Sequence, residues 1–378
     1  MTKLTSFDVL IVYAQSISKS ASDTKTLVPF PVGSINESYN VVYGYFLEIC
    51  EQQSLTAAFT TSADIIGPGF CKSYWTFKDK KWHKFTSPGY STLIFDKFSP
   101  TKKDLLLRRQ LMFSDPLVKP FNDPFLFSLF FDKQLTYNSL SAHAIPTVAL
   151  SDRSLEGVTS SCNSLSKLRD SHVGSKDFGT DIILKDRYGA GGRRVYKFSS
   201  ADLASLYSRV IKNTRVSYII QPFVKFDKGF SHKNVFCSTD IRLIYLNGKI
   251  IQQYIRVAKV GDFRCNEHQG GVLTYIPLSQ IPELVVKKSN IIANGLLKSK
   301  SLYALDFIVS NNHNIYLLEG NTSPGLDWNM NLIKNETEAK KLINLIVSDL
   351  STRISPKEVY PRRPFISYQK SITVPLND

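Results

Sequence analysis

The sequence predicts an α/β protein in which about two or three lobes, the later ones α+β in character, surround a shared cleft. Three observations carry that expectation. A chain of 378 residues is long for one hydrophobic core. Its first part alternates short apolar runs with a segment of helical period, the order of an α/β lobe. Its later part brings apolar runs together across turn-forming Gly and Asn residues, the pattern of antiparallel hairpins.

Taken in order, residues 9–13 form a compact apolar strand, and the polar, proline-containing segment up to Ser34 is its loop. Tyr39, Val42, Tyr43, Phe46 and Cys50 then repeat at helical spacing, with Ser34 and Glu37 placed as a capping box. A strand at 55–59, a loop carrying Gly67-Pro68-Gly69, a tryptophan-rich polar stretch and a strand at 92–95 complete a lobe of ordinary domain length. Trp75 and Trp82 are read as core or lid packing in preference to a base-stacking platform. Prolines at 116, 120 and 124 mark a boundary.

Beyond it, 132–143 is helical and stops at Ala144-Ile145-Pro146, ahead of a strand at 147–150. A serine-rich helix at 161–171 precedes a strand at 181–185. The glycine-rich run from Arg187 to Arg194 follows, and the chain returns as a strand at 195–198. Two strands joined by a glycine loop make a hairpin, unlike the strand-to-helix turn of a P-loop, whose Gly-Lys-Ser/Thr ending is missing. Such glycines let backbone N–H groups approach a phosphate, and Lys185 can set a charge against it. The residues alone fit a simple turn equally well.

A helix at 200–212 leads to a strand at 218–221 and then to Pro222-Phe223. Strands at 241–246 and 250–258 flank Asn247-Gly248, a type I′ hairpin turn. The second strand runs into a loop with three cations in nine residues, Arg256, Lys259 and Arg264. Strand alternation sets Arg256 on one face, with no salt-bridge partner required from its neighbours. A helix at 282–297, a hairpin of 302–309 with 315–318 around Asn311-Asn312, a helix at 336–350 and a proline-rich tail expected to wrap the surface complete the chain, without internal repeat.

In that last hairpin the acids stand in unusual places: Asp306 interrupts the first apolar run, Glu319 closes the second, and Asn321 follows on the same side of an extended chain. A carboxylate inside an apolar strand is costly unless a cation or donor meets it. Hard oxygens suit Mg²⁺, which leaves part of its shell to phosphates. The alternative is a strand that merely ends in an Asn-Thr-Ser-Pro-Gly turn.

Lys and Arg number 47 against 32 acids, a net charge of +15, which calls for an anionic ligand such as a nucleotide, an acidic peptide or nucleic acid. The basic residues are scattered in short pairs such as Arg108-Arg109 and Lys287-Lys288, so nucleic acid is not the expected partner. Five widely spaced cysteines without a Cys-x-x-Cys pair read as reduced thiols, hence a cytoplasmic setting. The apolar run 7–13 carries Asp8 and lacks a small-residue cleavage site, so it is not a signal peptide. No run of about 18 apolar residues exists to span a membrane, and the Asn335 sequon is not expected to be glycosylated.

The runs Arg256-x-Ala-Lys-x-Gly-Asp-Phe-Arg-x-Asn-x-His-x-Gly-Gly271 and Leu318-Glu-x-Asn-x-Ser-Pro-Gly-Leu326 follow Lys133, Lys185 with Gly189 and Gly192, Gln221 and Asp240-x-Arg242 in a fixed order. In residues and in order they resemble the ATP-grasp superfamily, most closely its RimK-type carboxylate–amine ligases. The likeness runs from about residue 132 to the last helix, about two thirds of the chain. It implies an ATP-grasp fold with an N-terminal pre-ATP-grasp lobe at 1–122, a lid subdomain at 123–217, a metal-binding subdomain at 218–355 and a tail at 356–378.

By the same resemblance, ATP lies between two antiparallel sheets. Lys133 and Lys185 reach its phosphates, the loop of Gly189, Gly191 and Gly192 is the lid, and Gln221, Pro222 and Phe223 follow the adenine, with the Pro222 carbonyl and the Phe223 amide reading it. Asp240 stands near the ribose, Arg264 and Asn266 approach the terminal phosphate, and Cys265 between them belongs to the nucleotide site. Arg256 stabilises charge as that phosphate moves, and Asp306, Glu319 and Asn321 hold two Mg²⁺ ions, with Mn²⁺ as a substitute. The implied reaction joins a carboxylate to an amine, on an amino acid or peptide, through an acyl phosphate. The rivals are an ATP-grasp phosphotransferase acting on a small-molecule hydroxyl and a non-catalytic nucleotide-binding module. His268 is either a base for the amine or a structural residue, and assembly into a homo-oligomer stays open. The chain departs from the family at Pro222, where an acid is usual, and in a first lobe that matches no single member.

Overall fold

The computed structural model describes residues 4–354 apart from 99, 101–102, 297 and 327–331; the expected proline-rich tail and the end of the helix expected at 282–297 lie outside the described residues. The N-terminal region runs β1 (Thr5–Ser6), β2 (Val9–Tyr13), α1 (Tyr39–Gln52), β3 (Ala57–Thr61), β4 (Ile65–Gly67), β5 (Phe70–Cys71), β6 (Tyr74–Lys78), β7 (Lys81–Phe85), β8 (Gly89–Tyr90), β9 (Leu93–Lys97), α2 (Lys103–Met112) and β10 (Lys119–Pro120). Its six-stranded sheet has the order β10-β9-β2-β3-β6-β7, in which β10, β9, β2 and β3 are parallel and the β6–β7 hairpin is antiparallel. Strand β2 is buried on both faces, which explains its unbroken apolar run. Alternate residues Val9 and Ile11 meet α1, while Leu10 and Val12 meet Met112 of α2 and the small sheet β1-β8-β5-β4.

Two local expectations fail here. The Ser34–Glu37 capping box does not form: successive turns carry the chain to Tyr39, and the Glu37 carboxylate accepts from the Gly33 amide at 2.6 Å. The tryptophan-rich stretch is the β6–β7 hairpin, its alternation masked because Lys84 stands on the tryptophan face, opposite Trp75, while Phe85 is exposed. Trp75 is fully buried with Trp82 edge-on to it, the core packing expected.

The middle of the chain comprises α3 (Pro124–Phe131), α4 (Lys133–Leu140), β11 (Val148–Ala149), α5 (Leu155–Ser171), β12 (Phe178–Asp186), β13 (Val195–Phe198), α6 (Leu203–Lys212) and β14 (Tyr218–Val224). The helix expected at 132–143 is α4, which ends at Leu140, and α3 precedes it, beginning at Pro124 where the sequence suggested only a boundary. Asp132 takes an extended conformation between them and caps α4, its carboxylate accepting from the Gln134 amide at 2.9 Å. The antiparallel sheet β11-β14-β12-β13 has α5 and α6 on the face of Leu184 and Ile220. Alternation leaves Ile183, Lys185, Gln221 and Phe223 on the other face.

The last region adds a small hairpin of β15 (Ser231–His232) and β16 (Val235–Phe236), then β17 (Thr239–Leu246), β18 (Lys249–Val257), β19 (Val272–Tyr275), α7 (Glu283–Asn294), β20 (Leu302–Val309), β21 (Ile315–Asn321) and α8 (Ile333–Arg353). Asn247 and Gly248 both have positive φ, 50° and 79°, as the predicted I′ turn requires. The antiparallel sheet β19-β18-β17-β20-β21 buries Ile241, Leu243 and Phe307 with Val285 of α7. The opposite face carries Asp240, Arg242, Arg256 and Asp306. Helix α8 packs its apolar stripe between α1 and the Leu246 end of that face, joining the N-terminal region to this sheet in one core. All five cysteines are unpaired, and no helix among the described residues is long and apolar enough to cross a membrane.

Candidate active site

The two antiparallel sheets face each other across a cleft that opens to solvent. The central sheet supplies Lys185, Gln221, Pro222 and Phe223; the five-stranded sheet supplies Asp240, Arg256 and Glu319; Lys133 enters as the first residue of α4. Loops add Gly189, Gly192, Arg264, Cys265 and Asn266, so residues far apart in sequence share one wall. Three of the residues expected to bind nucleotide or metal are not in that wall. Gly191 forms the tip of its loop with φ +68°, Asp306 is fully buried beneath two arginines, and the Asn321 amide oxygen accepts from the Ser323 backbone at 2.8 Å.

Register explains the charged floor. Asp240 lies opposite Arg256, Arg242 opposite Asp306, and Asp306 opposite Glu319. Arg256 forks both oxygens of Asp240 at 2.8 Å and reaches Asp306 at 2.8 Å, so it does have partners among its strand neighbours, contrary to expectation. Arg242 forks Asp306 at 2.6 and 2.5 Å. Burial pushes both acids up in pKa. The flanking guanidinium groups win at Asp306, which ends below the usual carboxylate range, whereas burial wins at Asp240. Glu319, by contrast, meets Arg242 at 3.9 Å and opens on the cleft.

The two lysines face the same space. Burial, reinforced by Lys133 and opposed by Glu319, pulls the Lys185 ammonium down to about 8. Burial also lowers Lys133, whose ammonium donates to the Gly189 carbonyl and whose backbone N–H donates to the Arg187 carbonyl at 3.2 Å. The glycine loop is pressed against the loop after β18: a side chain at Gly192, where φ is +69°, would meet the Asn266 amide oxygen at 2.5 Å. Arg264 forks Asp262, whose carboxyl the guanidinium holds at about 2. The buried Cys265 thiol donates to the Ser238 carbonyl, and burial pushes it up. His268 is exposed and outside the cleft wall.

At the far end Phe223 stands edge-on to Phe263, with the Lys197 ammonium 3.9 Å over its ring, and Ile308 and Leu318 complete an apolar slot. The strand continues through Pro222, which pairs with Ile182. Tyr218 directs its carbonyl to Leu150 and Ser217 to Arg187, so even-numbered backbone groups point to the β11 side. There β11 has already ended at its pairing with Ile220, and the missing Pro222 N–H leaves no bond unmade. The Pro222 carbonyl and Phe223 amide belong to one trans peptide and point to opposite edges. The pair on one edge is therefore the Pro222 carbonyl with the Val224 amide, a correction to the expected pairing.

Asp306, Glu319 and Asn321 share one face of the β20–β21 pair. Among the described residues no cluster of three His, Cys, Asp or Glu side chains is disposed to hold a metal alone. The donor set of two carboxylates and an amide suits a hard cation whose shell is completed by substrate oxygens. Sequence reasoning left Arg242 out of the site although its Asp240-x-Arg242 spacing placed it on the cleft face, and it missed Asp132 and Arg187, whose fork of 2.7 and 2.6 Å anchors the glycine loop to α4.

Comparison with known proteins agrees with this geometry. Residues 159–346 match the family model of the RimK-like ATP-grasp domain. A probable alpha-L-glutamate ligase of Maridesulfovibrio salexigens is 27% identical over 149 residues, 39% of this chain and 44% of that protein. One from Parasynechococcus marenigrum is 30% identical over 177 residues, 47% and 34% of the two. The chain thus spans less than half the length of these curated relatives. Among solved structures, D-cycloserine synthetase DcsG superposes with a TM-score of 0.58 at 14% identity over 92% of this chain and 100% of its own. D-alanyl-alanine synthetase A from Vibrio cholerae gives 0.54 at 13% identity over 94% and 99%. At such identities the likeness is one of fold, and the fold is that of ATP-grasp ligases.

Proposed function

We propose that this chain, whose residues 159–346 are a RimK-like ATP-grasp domain, is an ATP-dependent, ADP-forming carboxylate–amine ligase acting on an amino acid or peptide. The observation that carries the reading is the meeting of Lys133, Lys185, Arg256, Arg264 and Glu319 in one cleft between two antiparallel sheets. A carboxylate is a poor electrophile in water. Its oxygen therefore attacks the terminal phosphorus of ATP, ADP leaves, and an acyl phosphate forms. The amine nitrogen then attacks the acyl carbon, phosphate departs with the bonding pair, and the nitrogen loses a proton.

Phosphoryl transfer depends on positioning and charge more than on an acid or base, which fits a cleft of cations without a nucleophilic triad. Lys133 and Lys185 hold the phosphates. Arg264 leaves Asp262 for the terminal phosphate beside Asn266, and Arg256 keeps positive charge beneath it. The loop of Gly189, Gly191 and Gly192 closes over the phosphates and excludes water. Two Mg²⁺ ions, replaceable by Mn²⁺, at Asp306, Glu319 and Asn321 would supply charge neutralisation on the phosphate oxygens. The adenine enters the Phe223 slot and is read by the Pro222 carbonyl and Val224 amide, with the ribose towards Asp240.

On this reading 1–122 is the lobe that helps select substrates, 123–217 the lid and 218–355 the metal-binding subdomain. The unpaired cysteines support a cytoplasmic setting. The test is ADP release against a panel of carboxylates and amines begun with L-glutamate, because curated relatives are named alpha-L-glutamate ligases. Release that requires both a carboxylate and an amine is expected; release driven equally by alcohols contradicts the reading.

A further inference from the structure

An unbroken stack of planar groups joins the N-terminal sheet to the glycine-rich loop. It starts at Arg109 of α2, whose guanidinium pairs with half-buried Asp96 near the end of β9 and lies 3.6 Å from the Phe127 ring centre. Phe127 stacks on Phe131 at 5.2 Å and 15°, and Phe131 on Tyr188 at 5.1 Å and 25°. The Arg187 guanidinium, forked by Asp132, stands 5.4 Å over Tyr188. Tyr188 opens the glycine loop, its amide held by Asp186 at 3.0 Å, and the next residue, Gly189, receives the Lys133 ammonium. Near the other end, the neighbour of Asp96, Lys97, donates to the Pro324 carbonyl at 2.7 Å in the loop that follows Asn321.

Phe127, Phe131 and Tyr188 belong to none of the five buried cores and are only half-buried. Neither Tyr188 nor Arg109 lines the cleft. A ring stack that contributes little core burial yet fixes the rotation of α3 against both α2 and the loop base is suited to positioning. We propose that Arg109 and Tyr188 are positioning residues for the nucleotide phosphates: through Phe127 and Phe131 they set the glycine loop and Lys133 over the cleft. The proposal rests on the nucleotide reading given above.

The test is calorimetric binding of a non-hydrolysable ATP analogue with Mg²⁺ to the full chain. Tyr188→Leu is expected to weaken binding by about tenfold, while Tyr188→Phe, which keeps the ring, stays within about twofold. Arg109→Lys keeps the charge on Asp96 and loses the planar face, and is expected to weaken binding severalfold although it lies outside the cleft. The double variant Arg109→Lys/Tyr188→Leu binds no more weakly than Tyr188→Leu alone, because one path has already been cut. Thermal midpoints shift by less than about 3 °C in Tyr188→Phe and Arg109→Lys. Wild-type-like binding in Tyr188→Leu, or fully multiplicative losses in the double variant, overturns the proposal. Absence of binding by the wild type overturns the nucleotide reading itself, a distinct result.

Discussion

Arg242 and Asp306 stand directly opposite each other on β17 and β20, and two hydrogen bonds of 2.6 and 2.5 Å close the pair. The sequence presents Asp306 and Glu319 as equivalent acids, but packing separates them: Asp306 is fully buried between two guanidinium groups, and Glu319 opens on the cleft.

The two acids should therefore fail differently. Glu319→Gln is expected to lower kcat by at least about two orders of magnitude, given several kcal/mol of metal stabilisation, with an unchanged melting temperature. Asp306→Asn loses activity to a similar degree and also about 3 kcal/mol or more of stability, because it strands buried guanidinium charge. Turnover assays and denaturant melts check both. Near-normal turnover in Glu319→Gln would remove it from the metal site, and an Asp306→Asn protein as stable as wild type would show that the arginine network contributes nothing.

With Lys185 at the phosphates as proposed, nucleotide affinity should depend on pH. The Lys185 ammonium, pulled down to about 8 by burial, must be protonated to meet a phosphate, so the bound state holds the proton and the free state releases it as pH rises. Between pH 7 and 9 the protonated fraction of the free protein falls about tenfold, and affinity for an ATP analogue should fall with it. Lys185→Arg, charged throughout, should flatten the profile. A flat wild-type profile contradicts the assignment of Lys185 to the phosphates.

If the backbone at 222–224 reads the adenine as proposed, it should set base choice. On the proposed reading adenine N6 would donate to the Pro222 carbonyl and N1 would accept from the Val224 amide, whereas guanine would reverse the pattern and leave groups unpaired at about 1–3 kcal/mol each. ATP should beat GTP by at least about tenfold in kcat/KM, or about 1.4 kcal/mol. Pro222→Glu keeps the carbonyl and should change KM for ATP by less than about twofold. Equal use of GTP would move the adenine away from this strand.

Local features of the chain were legible because they depend on period and turn chemistry. The Asn247-Gly248 hairpin, the hairpin that spaces Lys185 from Val195, and the alternation that puts Asp240 and Arg256 on one face all follow from a repeat of two. What stayed hidden depends on partners distant in sequence. Arg242 and Arg256 meet Asp306 from 64 and 50 residues away, which turns an apparently free strand cation and a predicted metal ligand into members of one buried network. Helix α3 stayed hidden because the prolines at 116, 120 and 124 read as a boundary, whereas Pro124 opens a helix capped by Asp123. The direction of each peptide at Pro222 became readable only once β11 was seen to end beside Ile220.

The acyl phosphate is the central claim, and interception by hydroxylamine tests it most directly. With ATP, Mg²⁺ and the carboxylate substrate but no amine, hydroxylamine should attack the activated acyl carbon, and a hydroxamate should accumulate in step with ADP. ADP formation that yields a phosphorylated alcohol and no hydroxamate would contradict the ligase mechanism and point to phosphoryl transfer onto a hydroxyl.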